Sequence, residues 1–124
     1  MKFSEFLVEK VDELLHLTFL NGVDYTVTLR LLGKDGMNRR VYVARCLIKD
    51  KNDAEFENDT YAAMIFRDDG SLLADAHFGT QDAAVKLAGE AIAKQQKGYG
   101  PDHRKGKMGW QVYNTSQVEV DGWR

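Results

Sequence analysis

Imidazole, thiol and carboxylate side chains do most biological proton transfer and nucleophilic attack, and this chain of 124 residues holds three histidines and one cysteine. His16, His77 and His103 are far apart and sit in different settings. Cys46 falls within a strand-forming run, where a free cysteine behaves as a small hydrophobe. Asp75 and His77 are two residues apart, so on a strand they share a face and the carboxylate could orient the imidazole. No nucleophile stands at a recognisable spacing from them, and the pair reads as a polar sheet face. The chain has no Cys-x-x-Cys pair, no His-Glu-x-x-His and no glycine-rich dinucleotide loop, and Gly33–Gly36 lacks phosphate-loop spacing. A lone cysteine and scattered histidines supply neither a disulfide nor a closed zinc site. The acidic run 50–59 lacks the central glycine and regular oxygen ligands of a calcium loop. These residues predict no catalysis, no metal and no cofactor.

Binding chemistry is better represented. Residues 97–110 combine Lys97, Tyr99, His103, Arg104, Lys105, Lys107 and Trp110 with four glycines and the chain's one proline. Cations neutralise phosphates or acidic partners, and aromatic rings give bases a stacking surface. Trp110 also suits the core of a terminal hairpin. The formal net charge of −2 hides this segregation: residues 97–109 carry four basic and one acidic side chain, whereas 50–59 carry five acidic and one basic. As a whole the chain is not a polycation built to coat nucleic acid.

The elements that must position these groups follow from periodicity. Phe3, Phe6, Leu7, Val11, Leu14 and Leu15 fall on one helical face behind Ser4, predicting a helix over 4–15. Leu17–Leu20 and Val23–Leu31 flank Asn21-Gly22, the signature of a type I′ hairpin. Gly33–Gly36 predicts a turn, Val41–Ile48 a third strand and 50–59 a loop. Tyr61–Phe66 and Leu72–Phe78 predict two more strands about the loop Asp68-Asp69-Gly70-Ser71. Ala84, Leu87, Ala88, Ala91 and Ile92 form an alanine-rich stripe after a Thr80 cap, predicting a helix over 81–97 closed by Gly98. Trp110–Asn114 and Gln117–Val120 predict a short terminal hairpin, with Asn114-Thr115-Ser116 as turn chemistry rather than a glycosylation site. This order predicts one α+β domain over residues 1–124. Its antiparallel sheet has about five strands plus the terminal hairpin, with the N-terminal helix and the alanine-rich helix packed on one face.

The segment from Tyr61 to Tyr99 resembles the C-terminal half of a WGR domain. The resemblance rests on His77-Phe78-Gly79-Thr80-Gln81-Asp82-Ala83-Ala84, the helix that follows, and Lys97-Gly98-Tyr99. Phe66-Arg67-Asp68 occupies the approximate place of the family's Trp-Gly-Arg. WGR domains are small antiparallel-sheet modules, several of which bind DNA ends or pack on a neighbouring domain. The β-β-β-α order is also similar to a double-stranded-RNA-binding domain, although Gln81 and Asp82 stand where that family carries phosphate-binding lysines.

Composition is globular, at 44% hydrophobic and 29% charged residues, which excludes wholesale disorder. The longest apolar runs are too short to span a membrane, and no charged-then-apolar leader is evident, which predicts a cytoplasmic chain. The sequence therefore predicts a non-enzymatic protein-interaction module, a regulator or inhibitor of a nucleic-acid enzyme that acts by surface binding. The alternative is a weak nucleic-acid-binding module using the basic loop 97–110.

Overall fold

The computed structural model describes residues 13–20, 22–49, 55–94 and 109–123. In chain order the elements are β1 (Glu13–Phe19), β2 (Asp24–Lys34), β3 (Arg40–Lys49), β4 (Glu55–Phe66), β5 (Leu72–Phe78), α1 (Gln81–Lys94), β6 (Gln111–Val112) and β7 (Val118–Asp121). The strands form one seven-stranded sheet in the order β6-β5-β4-β3-β2-β1-β7, every neighbouring pair antiparallel. No helix among the described residues is long and apolar enough to cross a membrane.

This corrects the α+β reading. The chain is mostly sheet, a curled antiparallel half-barrel with one described helix on its convex side, not about five strands beneath two packed helices. Curling explains why one helix suffices. The central strands β3 and β4 carry buried apolar residues on both faces, and the second face is buried against itself. Tyr25 on β2 and His77 on β5 are three strand spacings apart, about 14 Å in a flat sheet. Their ring centroids lie 5.4 Å apart.

Two cores result. The concave core contains Leu15, Leu17, Val27, Leu29, Tyr42, Ala44, Cys46, Ala62, Met64, Phe66, Leu72 and Val118. The convex core contains Val41, Val43, Ala63, Ile65, Leu73, Ala74 and Ala76, covered by Ala84, Leu87, Ala88 and Ala91 of α1 and by Trp110. The alanine stripe thus docks as its spacing predicts. Thr80 caps the helix through its hydroxyl, which accepts from the Ala83 amide at 3.3 Å. At the far end a Cβ on Gly33 would sit 3.2 Å from Ile92 Cδ1, so the helix packs closely over β2 at this glycine. Residues 95–98, including the Gly98 stop, lie outside the described residues.

At the N-terminal end, residues 4–12 of the expected helix lie outside the described residues, and Glu13, Leu14 and Leu15 are strand. Leu15 and Leu17 alternate into the concave core opposite Val27 and Tyr25, and that period of two overrides the helical match of Leu14 and Leu15. Glu55, Glu57 and Asp59 of the expected acidic loop belong to β4, while Asp50 and Asp53 lie outside the described residues.

The β1–β2 hairpin exists, but its turn is not type I′. The Gly22 amide donates to Phe19 O at 2.9 Å and the Phe19 amide to Val23 O at 3.0 Å, with Gly22 at φ 86°. The glycine takes the left-handed position that ends a three-residue loop. The β4–β5 loop repeats this pattern, with Gly70 at φ 89° donating to Arg67 O. The turn expected at Gly33–Gly36 moves on to Asp35–Asn38, where Asp35 Oδ1 accepts from the Met37 and Arg39 amides.

The expected terminal hairpin is the largest topological correction. β6 and β7 do not pair with each other: β6 pairs with β5 at one edge of the sheet and β7 with β1 at the other. Only residues 113–117 join them. The Tyr113 amide donates to Leu73 O at 2.8 Å, and Gln117 O accepts from the Leu20 amide at 3.1 Å. One short segment can be tied to both edges only because the curl brings those edges together.

Candidate functional site

The reactive side chains meet at the concave face. Asp75 is 1% exposed and points inward beside Met64 on β4. Its Oδ1 accepts from the Tyr113 hydroxyl at 2.8 Å, and its Oδ2 lies 3.1 Å from His77 Nε2. The His77 ring stacks on Tyr25, while Phe19 meets both Tyr25 and Tyr113 edge-on. The shared strand face of Asp75 and His77 therefore becomes a contact, as their spacing predicts. Tyr113 and Tyr25 were not foreseeable partners, because only the curl and the seam bring β2 and the residue after β6 to β5.

Three neighbours of Asp75 keep their protons. Burial, then the Asp75 charge, pushes the Cys46 thiol up to about 12. The same two causes raise the Tyr113 and Tyr25 phenols above the usual tyrosine range. A protonated thiol is a poor nucleophile, and a protonated phenol is a hydrogen-bond donor. The cluster is therefore suited to holding the segment after β6 against β5. Tyr113→Phe is expected to cost about 1–3 kcal/mol, the usual worth of a hydrogen bond to a charged acceptor, read as a lower urea midpoint.

The Cys46 shift also sets a pH dependence. The unfolded thiol ionises near its ordinary value while the folded one holds its proton to about 12. Folding stability from this group is complete below pH 9 and is lost as pH rises from there toward 12. Thiol reagents should label Cys46 only after unfolding at pH 8. Cys46→Ala should flatten the decline in urea midpoint above pH 9.

The β4–β5 loop also serves the seam. Phe66 is fully buried in the concave core. Arg67 donates to Leu72 O at 3.0 Å, to Ser71 Oγ at 3.3 Å and to Tyr113 O. Gly70 O accepts from Trp123 Nε1 at 2.7 Å. Trp123 in turn meets Phe66 edge-on and lies 4.9 Å beneath the Arg40 guanidinium. The segment Gln111–Trp123 is thus tied back to the β4–β5 loop from both sides. No sequence signal marks Trp123 for this role.

Of the residues singled out for binding, Lys97, Tyr99, His103, Arg104, Lys105 and Lys107 lie outside the described residues. Trp110 is 7% exposed, lies in the convex core and has no hydrogen-bond partner for its indole N–H among the described residues. Among the described residues no three His, Cys, Asp or Glu side chains assemble as a metal-binding group.

A second surface has a different character. Helix α1 packs over β4, β3, β5 and part of β2, and no described element packs on the convex face of β1 and β7. One row across this face is Glu119–Thr18–Asp24 and the next is Asp121–His16–Thr26, with His16 Nδ1 3.2 Å from Thr26 Oγ1. Leu14, 63% exposed, follows one step along β1. Glu119 and Asp121 are exposed, Asp24 is partly so, and none of the three is ion-paired with another described residue.

No protein-family model matches the chain, and neither a curated protein nor a solved structure matches it at a significant level.

Proposed function

We propose that this chain is a protein-interaction module without catalysis of its own. In this reading it is a regulator or inhibitor that occupies the surface of a nucleic-acid enzyme through the bare convex face of β7, β1 and β2. The observation that carries the reading is the pair of rows Glu119–Thr18–Asp24 and Asp121–His16–Thr26, carboxylates with no ion-pair partner among the described residues beside an exposed leucine. Such a face complements a basic surface, and enzymes that grip phosphates present one. The protonated state of Cys46, Tyr113 and Tyr25 supports binding over nucleophilic catalysis. The resemblance of 61–99 to WGR modules, some of which pack on a neighbouring domain, supports the same reading.

Affinity purification of the tagged chain tests it, with Glu119→Lys/Asp121→Lys as the comparison. One stoichiometric protein, lost in that variant, is the expected result. Recovery of nucleic acid instead, abolished by Arg104→Glu/Lys105→Glu, would establish the alternative reading. Four phosphate-meeting cations give a log–log salt slope no steeper than about −4, so that binding should be micromolar or weaker at physiological salt.

A further inference from the structure

We propose that β7 exchanges between two copies of this chain, each copy closing its seam with the other's C-terminal strand. β1 and β5 are separated by four successive antiparallel pairings and therefore run in the same direction. β6 is antiparallel to β5 and β7 to β1, so β6 and β7 also run in the same direction. The connection between them is not a reversal. It is a local excursion, the turn Asn114–Gln117, closed by the Gln117 amide on Asn114 O at 3.1 Å and the Asn114 amide on Gln117 Oε1 at 2.6 Å. Asn114, Thr115 and Ser116 are all exposed and bury nothing.

Straightening that turn makes residues 111–121 one continuous strand, with 113–117 alone spanning about 17 Å. Its first part stays on β5 of its own copy, held by Tyr113 on Asp75 and by Arg67 on Tyr113 O. Its second part reaches β1 of another copy. There it makes the same ladder His16–Asp121 to Phe19–Val118 and the same burial of Val118. The exchanged and closed forms share every contact except those of the turn. Their balance is set by the two turn hydrogen bonds and by the effective concentration of a strand tethered through a short linker, which is millimolar. Concentration and turn strength therefore govern the exchange.

The test uses Thr18→Cys on one copy and Glu119→Cys on another, positions directly paired across β1 and β7, both in a Cys46→Ala background. The two are unfolded together, refolded at about millimolar concentration and oxidised. An interchain disulfide between 18 and 119 is expected, falling at least tenfold when refolding is done at micromolar concentration. Deleting Thr115 and Ser116 removes the turn and should convert the chain to a folded species of twice the mass by sedimentation. A folded monomer after that deletion overturns the proposal. So does the absence of the 18–119 disulfide from the full-length mixture, which decides the matter if the shortened chain fails to fold.

Discussion

A chain ending at Gln117 is expected to lose its cooperative unfolding transition. The six residues from Val118 to Trp123 pair with β1 over His16–Phe19 and bury Val118 in the concave core, with Val120 packed against it. They also supply the Trp123 ring, which meets Phe66 at 5.0 Å and Tyr42 at 5.8 Å, and its hydrogen bond to Gly70 O. Burying a valine is worth about 1.5–3 kcal/mol, and removing a packed tryptophan costs about 3–5 kcal/mol. Together these approach the 5–15 kcal/mol that holds an ordinary domain folded. Trp123→Ala alone should lower stability by about 3 kcal/mol. Urea titration followed by far-ultraviolet circular dichroism checks both. A truncated chain with a near-native midpoint would show that the seam does not close the barrel.

Leu87→Asp should also unfold the protein. Leu87 is buried at the centre of the alanine stripe, pressed onto the convex core, while Lys86 and Asp82 on the same helix are exposed. Aspartate there places a carboxylate in a cluster of buried apolar side chains, at a cost of several kcal/mol. Lys86→Asp, on the exposed side, should shift stability by no more than about 0.5 kcal/mol. If both variants melt like the parent chain, the helix does not cover the sheet.

Local signals read correctly where the structure they specify is local. The Thr80 cap, the alanine stripe, the Gly70 turn and the shared face of Asp75 and His77 all depend on residues within a few positions of each other. What the sequence did not disclose is non-local. The helix and its stripe can be read from spacing, but the curl depends on both faces of β3 and β4 being apolar at once. Leu73 shows the difficulty: alternation assigns it to the face of Asp75, yet a register shift between Ile65 and Phe66 turns it to the convex core. The terminal segment misled for a related reason. Trp110–Asn114 and Gln117–Val120 flank a genuine turn, and a turn between two strands ordinarily makes them neighbours. Here each strand finds a longer partner, β5 or β1, and the edges meet around the turn. For the candidate site, Tyr113 and Tyr25 reach Asp75 only through that closure, and the bare convex face exists because the one described helix covers half the sheet. Neither is written in any short motif.

Photo-crosslinking from the bare face tests the central functional claim most directly. A benzophenone amino acid replaces His16, at the middle of the acidic rows, or Lys86, on the exposed side of α1. The chain is expressed in its host and irradiated, and the adducts are identified by mass spectrometry. Position 16 is expected to capture one protein with a basic, phosphate-gripping surface, position 86 to capture none, and Glu119→Lys/Asp121→Lys to abolish the adduct at 16. Capture from position 86 alone, or an adduct at 16 that survives the charge reversal, would contradict the claim.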